Sequence, residues 1–208
     1  MNKKINFNAQ AYSIKKNGIL LIFILLCVFL SIITPNFLSW ANILNILRQS
    51  SIIGIMAIGT TFVIIGGGFD ISVGSLLALT AAMCVGLQHY MHWSFAILLV
   101  LIVGALVGLL NGFLTAKIHI PPIIVTLGTM TIIRGLVYLY TGGYPLYVDS
   151  PSFAFIGKGY LGPIPFPVIL LIIMVIFWQF ILVRTRFGRY ACALGGNKEA
   201  VRLSGVKV

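Results

Sequence analysis

The sequence has very few acidic residues and few charged residues of any kind. Only 3 of its 208 residues are Asp or Glu, and charged residues make up 8% of the chain against 60% hydrophobic residues. Soluble domains carry about 25% charged residues. The composition therefore excludes an ordinary soluble domain and indicates a protein whose surface faces lipid.

Basic residues are more numerous, and most of them lie near the two ends of the chain. The 14 Lys and Arg residues give a net charge of +11. The two terminal groups are Lys3, Lys4, Lys15, Lys16, Arg184, Arg186, Arg189, Lys198, Arg202 and Lys207. Basic residues that flank membrane spans stay in the cytoplasm. The distribution predicts cytoplasmic ends and contact with membrane lipid, and it does not indicate a nucleic-acid partner.

Cysteine is also scarce, with Cys27, Cys84 and Cys192 as its only occurrences and no C-x-x-C spacing. This pattern excludes a disulfide framework and a zinc site. The glycines at 66–68 are not followed by the lysine of a P-loop, so the chain is not itself an ATPase. We expect no catalytic residue, no metal and no cofactor, and the chain is not predicted to be an enzyme.

Apolar runs dominate what is present. A helix that spans a bilayer needs about 20 apolar residues, and snorkelling ends allow fewer. Six stretches qualify, at residues 18–33, 51–65, 72–87, 95–116, 123–140 and 168–183. The first is interpreted as an uncleaved span because no small-residue cleavage site follows it. The predicted fold class is an all-α polytopic membrane protein with about six transmembrane helices, divided into an N-terminal segment 1–17, a membrane domain 18–183 and a tail 184–208.

Three consecutive glycines separate the second stretch from the third. The sequence there reads Gly66-Gly67-Gly68-Phe69-Asp70, which is short for an exposed loop. Irregular backbone at membrane depth is tolerated only where protein or water covers it. A broken or re-entrant segment near 66–72 is therefore predicted.

The loops give an orientation. With the N-terminus inside, the connection 117–122 and the tail fall in the cytoplasm, and the connection 141–167 falls outside. That outer connection contains five prolines and several aromatic residues, which is typical of an ordered loop. Arg48 and Lys158 lie outside in this scheme, against the trend.

Two charged residues lie within the apolar body of the chain. Asp70 should face protein or water, because a carboxylate at membrane depth costs roughly 2.5–3.5 kcal/mol on insertion scales. It could cap the third span together with Ser72, or contribute to the passage of a substrate. Arg134, within the fifth stretch, could pair with Asp70, snorkel to an interface or bind backbone carbonyls.

The tail carries the signals of a short helix. Asn197 is a good N-cap, Glu199 stands in the first turn and Gly205 is a good stop. A helix of about two turns is marginal in water, so it needs a surface to dock on. A short capped helix after a cytoplasmic span end indicates either a coupling helix for a partner or a basic segment on anionic lipid.

Several long motifs occur in one order along the chain. They are Gly67-Gly-Phe-Asp-Ile-Ser-Val-Gly-Ser75 with Leu77-Ala-Leu-Thr80, Asn111-Gly112, Thr126-Leu-Gly-x-Met130 with Arg134-Gly135, Arg186-Phe-Gly-Arg-Tyr190, Ala193-Leu-Gly-Gly-Asn197 and Arg202-Leu-Ser-Gly205. Together they resemble the ribose-type sugar ABC transporter permeases, and the resemblance runs from about Asn36 to the last residue.

This resemblance implies a multi-pass permease of the bacterial inner membrane that carries a monosaccharide, with a ribose-like pentose as first choice. It implies a second permease copy, cytoplasmic ATPase subunits and an extracytoplasmic sugar-binding protein as partners. By the same resemblance, 18–183 is a partial permease domain and 184–208 a coupling segment. The implied ATPase-coupling residues are Gly196, Asn197, Glu199, Ala200, Arg202, Leu203, Ser204 and Gly205, and Asp70, Ser72, Gly74 and Arg134 are either structural or line the translocation path.

The chain departs from the family pattern in two ways. Phe69 stands where the family commonly has Ile. The family also continues through several further spans, so we expect this chain to be a fragment, a truncated product or one part of a permease completed by another chain.

Two other classes of protein remain as alternatives. An ion-coupled secondary transporter of a small polar solute also uses broken helices, but it would need more intramembrane acids than one. An intramembrane enzyme would need a nucleophile beside a base such as His119, and the spacing supplies none.

The charge asymmetry predicts the topology. In intact cells, and with the three native cysteines replaced, Lys158→Cys should react with a membrane-impermeant thiol reagent. Lys198→Cys should react only after the cells are opened. Strong labelling of Lys198→Cys from outside would reverse the orientation.

Overall fold

The computed structural model describes residues 7–147 and 150–205, with side chains from residue 18 onward. Its helices are α1 (Phe7–Ile33), α2 (Trp40–Ile65), α3 (Val73–Leu87), α4 (Trp93–Ala116), α5 (Pro122–Thr141), α6 (Pro151–Lys158), α7 (Phe166–Arg184), α8 (Arg186–Gly196) and α9 (Lys198–Leu203). Strands β1 (Tyr160–Leu161) and β2 (Ile164–Pro165) form a two-stranded antiparallel hairpin between α6 and α7. The predicted all-α class is confirmed.

Four of the described helices are long and apolar enough to cross a membrane. These helices are α2, α4, α5 and α7, and the apolar part of α1 (Gly18–Ile33) and helix α3 are shorter. Each of the six predicted apolar stretches is therefore helical. Large apolar side chains on α4 remain exposed, for example Leu101 at 64% and Leu109 at 69%. Such a surface suits lipid or further helices, and the polytopic membrane fold is confirmed.

Packing divides the chain into two compact units, one ending at Leu47 and the other beginning at Arg48. The first unit contains α1, which begins at Phe7, inside the predicted N-terminal segment 1–17. In the second unit, α3, α4 and α5 pack against one another. Their buried core is formed by Cys84, Ala96 and Val100.

The connection from α2 to α3 consists of the C-terminal cap of α2, followed directly by the residues that begin α3. The N–H of Gly68 donates to the carbonyl of Val63 (2.9 Å) and the N–H of Gly67 donates to that of Ile64 (3.0 Å). Gly67 has φ +81°, as the left-handed residue of a Schellman motif requires. The predicted break at 66–72 is present, and it follows a helix of 26 residues, which is about 39 Å long.

Helix α2 begins well before the predicted second span, which was placed at 51–65. Arg48 therefore lies within this helix, and the predicted start of the second span is corrected from residue 51 to Trp40. Its guanidinium carbon lies 4.9 Å from the ring centroid of Tyr160 in β1. A cation over an aromatic ring is stabilised by the ring quadrupole, so this contact ties α2 to the predicted outer connection.

The described part of the connection 141–167 is ordered, as predicted. Phe153 of α6 packs on the core of α3 and α4. Phe155 lies 5.4 Å from Phe166 between ring centroids, and Gly162 turns the hairpin with φ +62°. These contacts hold the connection against the ends of α3, α4 and α7.

Candidate functional site

Asp70 organises the start of helix α3. Its carboxylate accepts the backbone N–H of Ser72 at 2.7 Å and the hydroxyl of the same residue at 2.6 Å. Ser72 is 1% exposed, and the first helical bond of α3 goes to its carbonyl from Leu76. A carboxylate at a helix N-terminus is favoured by the helix dipole and by unpaired N–H groups. The arrangement suits the capping role considered from the sequence.

The Ser72 hydroxyl continues into a chain of hydrogen bonds across three helices. The Asn111 amide of α4 donates to it at 3.2 Å, and the Thr129 hydroxyl of α5 donates to the Asn111 carbonyl oxygen at 2.7 Å. Asn111 is 6% exposed. A buried amide without partners is costly, so the four residues Asp70, Ser72, Asn111 and Thr129, here called the polar network, fix how α3, α4 and α5 meet.

The sequence analysis did not identify Asn111 and Thr129 as site residues. The available signal was an amide inside α4, which is otherwise strongly apolar. Asn111 lies about 8 Å along the helix from the end of α4, and Thr129 lies about 10 Å from the start of α5. The polar network is therefore within two or three turns of the helix ends that are predicted to be cytoplasmic.

Arg134 does not pair with Asp70, so that alternative is wrong. Among the described residues, the ion pair that the structure contains is Arg202 with Glu199. Arg134 lies about 18 Å along α5 from its start, and among the described residues no ion pair or hydrogen bond joins it to Asp70. It borders an open cleft between α3 and α5 of about 410 Å³, together with Gly74. A Cβ at Gly74 would meet no heavy atom within 4 Å, so this glycine faces open space.

Helix α8 was missed from the sequence, which predicted one short helix in the tail. The Thr185 hydroxyl caps α8 by accepting the N–H of Gly188 at 3.3 Å. Gly188 is buried and Leu194 is half-buried, whereas Arg186 and Arg189 are exposed. This spacing is amphipathic. Three glycines in eleven residues lower the helix propensity of this segment, and for this reason the sequence did not predict the helix.

Helix α8 packs against the C-terminal end of α2. A Cβ at Gly195 would overlap the carbonyl oxygen of Ile65, so the two backbones are in direct contact. The Phe187 ring stacks on Phe62, with centroids 6.0 Å apart, and Trp178 of α7 meets Phe62 edge-on at 5.1 Å. The tail is thereby attached to the helix stop that precedes Asp70.

Helix α9 is the short capped helix that the sequence predicts. The Asn197 side chain accepts the N–H of Ala200 at 3.0 Å, and Gly205 follows the helix with φ +80°. Glu199 and Arg202 form a 2.7 Å ion pair, which contributes little because both are well exposed.

The two large apolar residues of α9 differ in exposure. Val201 is 8% exposed and Leu203 is 79% exposed. The helix is thus anchored on one side and presents Leu203 outward. Ser204 bonds the Ala200 carbonyl at 2.8 Å, and Gly196 ends α8 immediately before the Asn197 cap. The contact of these residues with an ATPase stays a prediction.

The polar network predicts a difference between two substitutions of Asp70. Asp70→Leu leaves the Ser72 N–H without its acceptor, at a cost of about 1–3 kcal/mol, and should lower the amount of folded protein several-fold. Asp70→Asn keeps an acceptor oxygen and should retain most of it. Quantitative immunoblotting and size-exclusion chromatography in detergent measure both. Normal assembly of Asp70→Leu with loss of transport would favour a role in substrate passage instead.

The packing of α8 predicts opposite effects at two adjacent glycines. Gly195→Ala forces α8 away from Ile65 and should destabilise the protein by about 1–3 kcal/mol. Gly196→Ala meets no atom within 4 Å and should be neutral or slightly stabilising, because Ala favours helix. With Cys27 and Cys192 replaced by Ser, thermal unfolding can be followed by the reaction of the buried Cys84 thiol with a fluorogenic reagent. Equal melting temperatures for the two variants would contradict the α8–α2 contact.

The chain is similar to a known protein family and to several known proteins. The family described as "Branched-chain amino acid transport system / permease component" matches residues 42–208. The ribose import permease protein RbsC of Haemophilus influenzae is 41% identical over 100% of this chain and 65% of its own length. RbsC of Bacillus subtilis is 41% identical over 99% of this chain and 64% of its own length.

A third relative is named for a different sugar. The L-arabinose transport system permease protein AraH of Escherichia coli is 36% identical over 92% of this chain and 58% of its own length. No solved structure gives a significant match. The chain thus spans 65% or less of the length of these curated relatives.

The family match begins in helix α2 and continues through the polar network, the cleft beside Arg134 and both tail helices. It therefore covers every feature of the candidate site. The resemblance drawn from the motifs is confirmed, and the chain belongs to the family of branched-chain amino acid transport system permease components.

Proposed function

We propose that this chain is the membrane-spanning permease subunit of an ATP-driven importer of a monosaccharide, with a ribose-like pentose as the first substrate to test. The observation that carries the proposal is α9, a capped helix held at one side by Val201 and presenting Leu203 outward. A helix this short gains little stability by itself, which favours a protein partner as its binding surface. The names of the relatives support a sugar as cargo.

The partners in this proposal are two cytoplasmic ATPase subunits, an extracytoplasmic sugar-binding protein and a second permease copy. The ATPase would hold α9, and the binding protein would meet the face that carries α6 and the β1–β2 hairpin. In this proposal the protein lies in the bacterial inner membrane, with its N-terminus in the cytoplasm. The chain itself catalyses no reaction and takes no cofactor.

The contacts within the tail suggest how ATP binding could act on the membrane domain. Movement of α9 would carry α8 with it, since the two helices pack together. Helix α8 touches the carbonyl of Ile65 through Gly195. From there only a few residues lead to Asp70 and the start of α3. An alternating-access cycle would use this route to change the cleft between α3 and α5.

The geometry does not favour the ion-coupled alternative. Asp70, the acid within the apolar body, has its carboxylate bonded to Ser72. It is not among the residues that line the cleft beside Arg134. A coupling carboxylate would need to be open to ions along the path.

The exposure of Leu203 predicts its role at the ATPase contact. Leu203→Asp places a charge in the proposed interface and should reduce co-purification of the ATPase subunit by about ten-fold or more, because a buried unpaired charge is costly. Leu203→Met keeps an apolar side chain of similar size and should co-purify normally. Permease abundance is measured in the same samples. Unchanged co-purification of Leu203→Asp would leave α9 as a lipid-bound segment rather than a coupling helix.

A further inference from the structure

The cleft beside Arg134 belongs to a longer groove between α3 and α5. A second cavity of about 550 Å³ adjoins it toward the end of α5. The two cavities share Val137 and Tyr138 as lining residues, so they adjoin at these two side chains, and together they are here called the groove. Their volumes, about 410 and 550 Å³, fall in the range of about 300–1,000 Å³ that small-molecule sites occupy.

Small residues of one helix face keep the groove open. Gly74, Ala78, Ala81 and Ala82 of α3 line it, at the three- and four-residue spacing of one helix face. One end of the groove begins at Ile71, next to the polar network.

The other end of the groove reaches the predicted outer face. Thr141, Gly143 and Tyr144 line it there. Met130 and Thr141, both lining residues on α5, are about 16 Å apart along the helix. The groove therefore follows about half of a membrane thickness, inward from the outer face.

The charge and the depth of Arg134 indicate what can occupy the groove. It lies about 18 Å from one end of α5 and about 10 Å from the other, and it is exposed. An unpaired guanidinium facing lipid at this depth is strongly unfavourable, so such groups face water-filled cavities or protein. The groove that Arg134 borders is therefore a place for water, polar solutes or further protein rather than for lipid chains.

The lining chemistry fits a neutral sugar. Arg134, the hydroxyls of Ser75 and Thr141 and the Tyr138 hydroxyl supply hydrogen bonds. The Tyr138 ring, 65% exposed at the junction of the two cavities, offers an apolar face for the C–H side of a sugar ring. None of the lining residues is acidic, which disfavours cationic solutes.

We infer that this groove is a binding site for a monosaccharide on its way through the membrane, with Arg134 and Ser75 bonding its hydroxyls and Tyr138 stacking on its ring. The inference deepens the proposed function and rests on it. It gives Arg134 a role different from the snorkelling and carbonyl-binding alternatives, and it assigns Tyr138 to the binding of the sugar.

The first test measures sugar uptake by the complete transporter, assembled with its ATPase and binding protein. Arg134→Gln should lower the uptake of D-ribose by about ten-fold or more, since hydrogen bonds to a charged donor are the strong ones. Tyr138→Ala should lower it by a similar factor. Tyr138→Phe keeps the stacking ring and should stay within about three-fold of the unchanged protein. Abundance and ATPase co-purification, measured alongside, separate these effects from misfolding or misassembly.

The second test measures occupancy directly. With native cysteines replaced, Ala78→Cys should react with a hydrophilic thiol reagent in the purified complex, and millimolar D-ribose should slow that reaction. Lys158→Cys, in α6 and outside the groove, should react at the same rate with and without the sugar.

The outcomes separate the two proposals. The groove site is contradicted if the reagent never reaches the thiol at position 78. It is also contradicted if that thiol reacts equally with and without ribose while uptake continues. Either result leaves the proposed permease function unaffected. Normal uptake by Arg134→Gln together with Tyr138→Ala also overturns the groove site. Absence of uptake of ribose, arabinose and galactose by the unchanged complex, assembled with the permease completed through its further spans, removes the proposed function, and the groove site with it.

Discussion

The hydrogen bonds between Asp70 and Ser72 are the interaction on which the membrane domain depends. The chain must leave α2 and begin α3 within seven residues while surrounded by apolar helices. Backbone groups in such surroundings must be satisfied by protein, because lipid offers no partners. The Schellman motif gives hydrogen-bond donors to the carbonyls of Val63 and Ile64 at the end of α2. The Asp70 carboxylate accepts the backbone N–H of Ser72, directly before α3. Both ends of the break are therefore closed locally.

The same interaction also sets how three helices are arranged. The Ser72 hydroxyl, held by Asp70, accepts from Asn111, and Asn111 accepts from Thr129. With its polar ends fixed at this point, α3 can present a face of glycine and alanine to α5 along the rest of its length. The groove is open because that face is small and because no described side chain fills it. Helix α8 contacts the break from the other side, through Gly195 and Ile65.

Several features followed from the sequence alone because they rest on local physics. Apolar length predicted the helices, three glycines predicted the break, and Asn197 with Gly205 predicted α9. Features that depend on distant residues were missed or placed wrongly. The second span was predicted to begin at residue 51, whereas α2 begins at Trp40 and includes Arg48. The charge of Arg48 is accommodated by the Tyr160 ring, which is distant in the sequence. Helix α8 was missed because its three glycines are unfavourable in an isolated helix, and the close fit of Gly195 against Ile65 of α2 and of Gly188 against Leu182 of α7 exists only in the folded chain.

The sequence by itself determined that this chain is a helical membrane protein with basic ends and a family of sugar permeases as its nearest resemblance, since hydrophobic length, charge placement and motifs are all properties of the linear chain. Only the tertiary structure decided which polar residues act together. Asp70 and Asn111 are 41 positions apart and Asp70 and Arg134 are 64 apart, and nothing local distinguishes the two pairings. Helix packing joined the first pair through Ser72. It left Arg134 beside the cleft between α3 and α5, without an ion pair to Asp70 among the described residues, because the packing of the helices decides which side chains meet.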